Sequence, residues 1–393
     1  MSIQQNISAD YQPVPIWIEE LKLHQFRNYG SLRLELDQRH VVLTGENGAG
    51  KTNLLEAISF LSPGRGLRRS AYGQVANTKE VADGSWAVHC ELNGAEGPVS
   101  IGTGIALTPQ GPETQRKVRI NSATAKTGDT LLEHSRILWL TPAMDGLFTG
   151  PASDRRRFLD RLVLAIDPAH GRRVNDFEKC MRSRNKLLED FSADPTWLDG
   201  LEAQMAEAGV AIAFARAELV SLLRGIIESA PENVSTFPKA TLALDGTLEN
   251  LMSEGSASDL EDNYRTLLRR ERGRDRAAGR TLEGPHRSNL AVRYQSKDMD
   301  AALCSTGEQK ALLTGMVLAH AQLVGDVSGM APVLLLDEIA AHLDPNRRAA
   351  LFDLIDTIGC QAWMTGTDGP MFEALNDRAQ HLRVTEGTVR TDE

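Results

Sequence analysis

Apolar and polar residues alternate over most of the first 130 residues, in short runs separated by Gly, Pro and Asn. Segments 16–26 (IWIEELKLHQF) and 31–37 (SLRLELD) have the two-residue period of half-buried strands, and HVVLTG at 40–45 indicates a short buried strand. The segment TNLLEAISFL at 52–61 has a helical period instead. Further predicted strands lie at 85–92, 99–107 and 117–126.

From residue 151 to about residue 280 the alternation gives way to helical periods rich in Arg, Leu and Ala. Asp194 and Pro195 predict the start of a long helix, as N-cap and first helical residue. Apolar residues then recur at spacings of three and four, which is typical of a short coiled coil or of a long bundle helix. We favour the bundle helix. The residues concerned are Leu198, Leu201, Met205, Ala208, Ile212, Ala215, Leu219 and Leu222.

Strand patterns return after residue 284. NLAVRYQ at 289–295 is followed by a helix from about Gly307, the strand PVLLLD, a further helix and a strand near QAWMTG. The pattern therefore predicts an α/β domain made of residues 1–150 and 285–393, interrupted by an inserted helical lobe at 151–284.

Composition narrows the function classes. The 393-residue chain carries 43 Lys and Arg against 53 Asp and Glu, a net charge of -10, which argues against indiscriminate binding to nucleic acid. Its four cysteines form no CxxC pair, so we expect neither a disulfide framework nor a zinc site. Scattered cysteines of this kind suit a reducing environment, and we therefore expect a cytoplasmic location. The polar first fifteen residues do not resemble a signal peptide, and no apolar run is long enough to predict a membrane span.

The sequence TGENGAGKTN at 44–53 fits the pattern G-x-x-x-x-G-K-[ST], between a predicted strand and a predicted helix. Glycines at these positions let successive backbone N–H groups face the β-phosphate of a nucleotide. Lys51 reaches the β- and γ-phosphates, and the Thr52 hydroxyl can ligate Mg²⁺. We predict a nucleoside triphosphate site formed by Gly45, Glu46, Asn47, Gly48, Ala49, Gly50, Lys51, Thr52 and Asn53.

A second element is PVLLLDEIAAHLD at 332–344, an apolar strand that ends in two acids. Asp337 would lie at the carboxyl edge of a parallel sheet, where it can hold Mg²⁺ together with Thr52. Glu338 could orient and deprotonate the attacking water. Lys51 and Glu338 are therefore the predicted catalytic residues.

The segment CSTGEQKALL at 304–313 resembles the S-x-G-x-Q signature motif of ABC-class ATPases. This resemblance implies that Ser305, Gly307 and Gln309 contact the γ-phosphate of ATP held by a second copy of the chain. Taken alone, Ser305 and Glu308 also fit a helix capping box. The order of phosphate loop, long insert, signature and acidic strand favours the ATPase.

The chain resembles the RecF family of bacterial recombination mediators over nearly its whole length. The segments FRNYG, RRRFLD and GPHRSNL carry the likeness because they are not general features of ATPases. The resemblance implies an α/β fold: a P-loop ABC-type ATPase head, with a mixed sheet and an antiparallel β subdomain, plus an inserted α-helical second lobe.

The same resemblance implies an ATP-dependent DNA-binding protein of recombinational repair and replication restart. Its cofactors would be ATP and Mg²⁺, and its DNA would be a gapped duplex or a junction of single and double strands. It would dimerise on DNA with ATP and leave on slow hydrolysis, as a weak DNA-stimulated ATPase acting as a switch. With RecR and RecO proteins it would help to load recombinase and support the SOS response.

The chain departs from the family pattern at several positions. Cys304 stands where the signature has leucine, and Asn289 stands where the GPHR segment continues to an aspartate. The strand at WMTGTD contains Thr365 and Thr367, with no histidine that could sense a γ-phosphate. The segment WLTPAMD at 139–145 lacks the glutamine that links nucleotide to partner in transporter ATPases.

Three basic clusters could contact DNA phosphates, which need cationic side chains and no base-reading code. Of these we favour Arg65, Arg68 and Arg69, which lie just after the first predicted helix. The other two clusters lie at 155–161 and 265–280.

Two other functions stay open from the residues alone. The chain could be the ATPase subunit of a membrane transporter, which the missing histidine, the missing glutamine and the long insert disfavour. It could also be a P-loop kinase, in which case the STGEQK segment would be an accident.

Overall fold

The computed structural model describes residues 12–77, 83–109, 111–190, 194–230, 237–252 and 256–392. Residues 1–11, which make up most of the polar stretch that does not resemble a signal peptide, lie outside the described residues. The chain forms two compact units, one of Met1–Asp145 with Leu313–Glu393 and one of Gly146–Leu312.

The described strands are β1 Trp17–Phe26, β2 Tyr29–Glu35, β3 His40–Thr44, β4 Trp86–Gly94, β5 Gly97–Ile105, β6 Leu107–Thr108, β7 Gly111–Pro112, β8 Lys117–Ile120, β9 Ala123–Thr124, β10 Ile137–Leu140, β11 Ala240–Asp245, β12 Asn289–Tyr294, β13 Met299–Asp300, β14 Val333–Leu336, β15 Ala362–Gly366, β16 Ala379–Thr385 and β17 Thr388–Thr391. The described α-helices are α1 Lys51–Ser59, α2 Ala152–Ile166, α3 His170–Glu189, α4 Pro195–Ser229, α5 Thr247–Leu251, α6 Ala257–Arg270, α7 Arg272–Ala278, α8 Thr306–Ser328 and α9 Pro345–Ile358.

The first unit contains a mixed sheet in the order β10-β14-β15-β3-β16-β17. All its neighbouring strands are parallel except β16 and β17, which form an antiparallel hairpin. Every residue of β3, β14 and β15 is buried, as expected for parallel strands covered on both faces. Because the carboxyl ends of β3, β14 and β15 meet at one edge, the residues that follow these strands gather there.

A second sheet of the same unit is antiparallel, in the order β2-β1-β4-β5-β8-β9. Its buried face packs into one core with helix α1 and the mixed sheet. Phe26, Phe60 and Trp86 pack in this core, with the Phe60 and Trp86 ring centroids 4.9 Å apart. Aromatic pairs in such arrangements add about 0.5–1.5 kcal/mol beyond the area they bury.

The second unit is largely helical. Its longest helix, α4, begins at Pro195, with the side chain of Asp194 accepting a hydrogen bond from the Thr196 N–H at 2.8 Å, as predicted. The buried positions of α4 include Glu202, Ala206, Val210 and Arg216, outside the three-four seam, so this helix packs over a broad face as a bundle helix does.

The boundary of this second unit differs from the sequence expectation. Strand β12 pairs with β11 and β13 in a three-stranded antiparallel sheet, and the second unit therefore extends to Leu312 rather than to residue 284. The pattern of β12 alone could not indicate which of two sheets it would join.

Contrary to the expectation from the sequence, one helix among the described residues, α8, is long and apolar enough by length and composition to cross a membrane. In the structure 67% of its most apolar stretch is buried. A buried core helix has this composition as well.

Candidate functional site

The segment that joins β3 to α1 wraps into a loop whose shape depends on glycine. Gly45, Gly48 and Gly50 have φ of 143°, 84° and 122°, a region that other residues rarely adopt. A Cβ on Gly45 would lie 2.2 Å from the carbonyl oxygen of Val384. The loop therefore has the close-wrapped backbone of a phosphate cradle, with α1 starting at Lys51.

Lys51 is buried inside this loop. Its Nζ donates hydrogen bonds to the carbonyl oxygens of Gly45 at 2.6 Å and Glu46 at 2.9 Å. Burial lowers the pKa of the ammonium, while the nearby carboxylates of Glu338 and Asp337 act in the opposite direction. The cation is thus held where the pattern predicts the β- and γ-phosphates.

Thr52, Asp337 and Thr365 meet at the edge of the mixed sheet. The Thr52 hydroxyl lies 3.0 Å from both carboxylate oxygens of Asp337, and the Thr365 hydroxyl donates to Asp337 Oδ1 at 2.8 Å. These hard oxygen ligands suit Mg²⁺, which binds proteins through one or two carboxylates and takes its other ligands from water and phosphate. Among the described residues there is no group of three or more His, Cys, Asp or Glu that could hold a metal ion.

Glu338 is held in an unusual backbone conformation. Its φ of 54° lies in the left-handed region, and its N–H donates to Thr365 Oγ1 at 2.8 Å. Thr365 therefore fixes both acids, one through its donor and one through its acceptor. The sequence indicates Thr365 only as a position without histidine, because the pairing of β14 with β15 that brings it to the two acids is not visible in either strand alone.

Three residues outside the predicted site, Asn28, Tyr29 and Gly387, hydrogen-bond to the backbone carbonyls of the phosphate loop. Asn28 Nδ2 and the Gly387 N–H both donate to the Ala49 carbonyl oxygen, at 2.9 and 3.1 Å. The buried Tyr29 hydroxyl donates to the Gly50 carbonyl oxygen at 3.0 Å. Asn28 and Tyr29 belong to FRNYG, a segment recognised as distinctive but not connected to the loop.

The three arginines of the predicted DNA cluster lie beside α1. Arg68 donates from Nη1 to Asn53 Oδ1 at 2.5 Å and to the buried carboxylate of Glu56 at 2.7 Å. The Arg65 guanidinium lies 6.0 Å from the ring centroid of Tyr72. Arg69 is exposed with a φ of 57°. Arg68 thus connects this surface to the residue that follows Thr52.

The residues of the signature segment belong to the second unit. Ser305 and Gly307 are exposed at the start of α8, where Ser305 and Glu308 form a reciprocal cap through bonds of 2.9 and 3.4 Å. Lys297, which is hydrogen-bonded to Glu308, and the Ser305 donors lower the Glu308 pKa to about 2. Gln309 is buried and donates to the Cys304 carbonyl oxygen at 2.8 Å, so its side chain shapes this segment from within.

The other basic clusters are mostly engaged within the second unit. Arg155 donates to three backbone carbonyls and to Asn289 Oδ1, and Arg156 donates to the Ser288 carbonyl. Arg269 and Arg272 pair with acids of α4. These arginines bind the unit together.

Comparison with known proteins decides the family. The model of the RecF/RecN/SMC N terminal domain family matches residues 17–390. Proteins named DNA replication and repair protein RecF from Rhizobium etli and Rhizobium meliloti are 59% and 57% identical over 377 residues, covering 96% of this chain and 99% of each relative. The chain belongs to the RecF family.

The RecF fold is found in solved structures as well. A structure of the recombination mediator protein RecF-ATP in the RecFOR pathway has a TM-score of 0.83 at 22% identity, covering 98% of this chain and 99% of that chain. An SmcHead bound to the C-winged helix domain of ScpA has a TM-score of 0.54 at 16% identity, covering 96% and 97%. The P-loop ABC-type head with an inserted helical lobe is therefore confirmed as the fold of this RecF-family chain.

Proposed function

We propose that the chain is an ATP-dependent DNA-binding protein of recombinational repair and replication restart. The proposal that the chain binds ATP rests on one observation, the contact of Thr52 with Asp337 beside the buried Lys51. The loop from Gly45 to Asn53 would bind the phosphates, and Thr52 and Asp337 would hold Mg²⁺, which shields charge on the β- and γ-phosphates. Glu338 takes the proton of the attacking water.

The exposed Ser305 and Gly307 complete the site of a second copy, so that two chains enclose ATP and separate after slow hydrolysis. Gln309 supports that segment from inside. This arrangement makes the ATPase a switch for an ATP-dependent homodimer, acting in the cytoplasm. The names of the relatives, which refer to DNA replication and repair and to the RecFOR pathway, support DNA as the partner, with RecR and RecO as the proteins that act next.

Arg65, Arg68 and Arg69 provide the cationic surface for gapped duplex DNA or a strand junction. Phosphate contacts of this kind require no sequence code and weaken as salt rises. They place DNA next to α1 and hence next to the nucleotide.

The test is fluorescence anisotropy of a labelled gapped duplex titrated with the full chain, with MgATP and without nucleotide. We expect tight binding only with MgATP, persistence of binding in Glu338→Gln, and a steep loss with salt. Glu373→Gln, an exposed carboxylate of the same unit, serves as the matched control and should behave as wild type. Binding that is indifferent to nucleotide in all three proteins would rule out an ATP-gated clamp.

A further inference from the structure

The second unit contains a cleft that the proposed function does not use. Its volume is about 820 Å³, within the range of pockets for small ligands. Helix α5, one face of α6 and the segment around Arg287 form its walls. Arg287 belongs to GPHRSNL, a family-specific segment that plays no part in the phosphate loop or the acidic edge.

Two arginines line this cleft. The guanidinium of Arg287 is exposed and makes no hydrogen bond or ion pair with the part of the chain that the structure describes. Arg270 pairs through Nε with its neighbour Glu271, and its side chain is 72% exposed. An arginine fork binds phosphate or carboxylate through parallel N–H donors, so both side chains are suited to an anion.

Two further arginines, Arg155 and Arg156, hold the segment that follows Arg287. Arg155 donates to Asn289 Oδ1 at 2.8 Å, and Arg156 donates to the Ser288 carbonyl at 2.9 Å. Burial lowers the pKa of Arg156, and the nearby cations Arg216 and Arg287 lower it further. Among the residues that line the cleft there are two arginines and one acid, Asp245, and this excess of positive charge favours an anion.

The wall formed by α6 carries Arg270 among uncharged residues. Asn263, Thr266, Leu267 and Arg270 all line the cleft from α6, at the spacing of one helix face. An amide, a hydroxyl and an apolar surface next to a phosphate-binding arginine match the parts of a nucleotide. Asp245, also in the lining, can accept a hydrogen bond from a sugar hydroxyl or a base amino group.

We propose that this cleft binds a single nucleotide unit, with its phosphate on Arg270 and Arg287 and its base against Leu267. The unit can come from a free nucleotide or from the 5′-phosphorylated end of a DNA strand, and both sources offer the same groups. The site requires no ATP at the phosphate loop, so it goes beyond the clamp proposed above.

Two probes test the site on the full-length chain without ATP or Mg²⁺. The first probe is thymidine 5′-monophosphate, whose binding is measured by saturation-transfer NMR. This nucleotide has no β-phosphate that the loop at Gly45 could bind. The second is a 3′-labelled single strand with either a 5′-phosphate or a 5′-hydroxyl, followed by anisotropy. We expect Arg287→Gln to weaken binding of the monophosphate by about tenfold, the equivalent of one charged hydrogen bond.

Arg280→Gln is the matched control, because Arg280 is an exposed arginine of the same unit that does not line the cleft. It should bind both probes as wild type does, while Thr266→Ala provides a second variant inside the cleft. A preference for the 5′-phosphate strand that Arg287→Gln abolishes, without monophosphate binding, identifies the strand end as the source. If neither probe distinguishes Arg287→Gln from Arg280→Gln, the site does not exist, whatever the ATP-dependent binding of gapped duplex shows.

Discussion

The buried Tyr29 hydroxyl donates a hydrogen bond of 3.0 Å to the Gly50 carbonyl oxygen, in the middle of the phosphate loop. Within one peptide unit the C=O and N–H groups point in opposite directions. Holding the carbonyls of Ala49 and Gly50 from behind therefore turns the N–H groups of Gly50 and Lys51 towards the loop interior. Asn28, Tyr29 and Gly387 position the amides that a β-phosphate would meet.

We expect Tyr29→Phe to weaken ADP binding by about three- to tenfold, the value of one buried hydrogen bond of roughly 0.5–1.5 kcal/mol. AMP binding should not change, because AMP has no β-phosphate. Isothermal titration with both nucleotides measures the ratio.

Tyr72→Phe is the matched control, since the contact of the Tyr72 hydroxyl within the described residues is a long one of 3.4 Å to the Gly64 carbonyl. Equal losses for ADP and AMP in Tyr29→Phe would show general damage to the fold and contradict a role in aiming the amides. A wild-type chain that binds no ADP would instead contradict the proposed nucleotide site.

Thr365→Val should slow ATP hydrolysis by roughly tenfold with little change in ATP affinity. The variant keeps the shape of a fully buried side chain but removes the hydroxyl that binds Asp337 and the Glu338 N–H. Glu338 then loses the hydrogen bond that stabilises its left-handed backbone conformation, and such a conformation costs about 1–3 kcal/mol when it is not supported. Single-turnover hydrolysis separates this rate from binding.

Thr367→Val tests the same substitution two residues along, on an exposed threonine whose hydroxyl donates to its neighbour Asp368 at 3.0 Å. It should hydrolyse ATP at the wild-type rate. If both variants retain that rate, Thr365 does not position the acids.

The sequence predicted the parts of this site whose chemistry lies in a local pattern. The glycine spacing of the loop and the apolar strand before Asp337 each specify their own element, and their meeting follows from parallel strands sharing an edge. Asn28 and Gly387 could not be found this way. They reach Ala49 from opposite ends of the chain, so only the pairing of β16 with β3 brings Gly387 to the loop.

The role of Gln309 shows a different limit. A signature-like motif identifies which residues are present but not which way each side chain turns, and the amide of Gln309 turns inward to backbone carbonyls.

Strand β12 shows the third limit, because its alternation specifies a half-buried strand without naming its partner β11. The membership of the chain in the RecF family and its fold class were both predicted correctly from sequence.

ATP affinity should fall as pH rises into the alkaline range. A bound triphosphate favours the charged form of Lys51, so the pKa of this ammonium is higher in the complex than in the free protein. Binding is fully favourable below the free-protein pKa, which burial holds below the usual 10.5, and weakens above it. Nucleotide titrations between about pH 7 and pH 10 would follow the loss.

Lys51→Arg is the comparison for this titration, because its guanidinium stays charged throughout the range. The ATP affinity of this variant should not change with pH over the range in which the ATP affinity of the wild type declines. Parallel declines in both proteins would assign the pH dependence to another group.

Arg65→Gln should lower the salt dependence of DNA binding by about one counterion and leave ADP binding unchanged. Arg68→Gln should lower it similarly but also weaken ADP binding, because Arg68 holds Asn53 and Asn53 Nδ2 holds Asn28 at 2.7 Å. The slope of log affinity against log salt for a gapped duplex provides the first readout and ADP titration the second. If neither variant changes the salt slope, Arg65 and Arg68 do not contact DNA and the DNA-binding surface lies elsewhere on the chain.

Arg184→Met should destabilise the second unit by about 3–5 kcal/mol, the cost of breaking a buried ion network. Arg184 is fully buried and binds Glu202 at 2.9 Å and Asp275 at 2.6 Å, both of which are also buried. Removing the guanidinium leaves the buried Asp275 without its ion-pair partner Arg184, while Glu202 keeps its contacts with Arg272. On the same helix, Arg182 pairs with Glu178 at the surface with its side chain 67% exposed, so Arg182→Met should cost less than about 1 kcal/mol. Urea denaturation followed by circular dichroism compares the two, and similar midpoints would show that the network is dispensable for the stability of this unit.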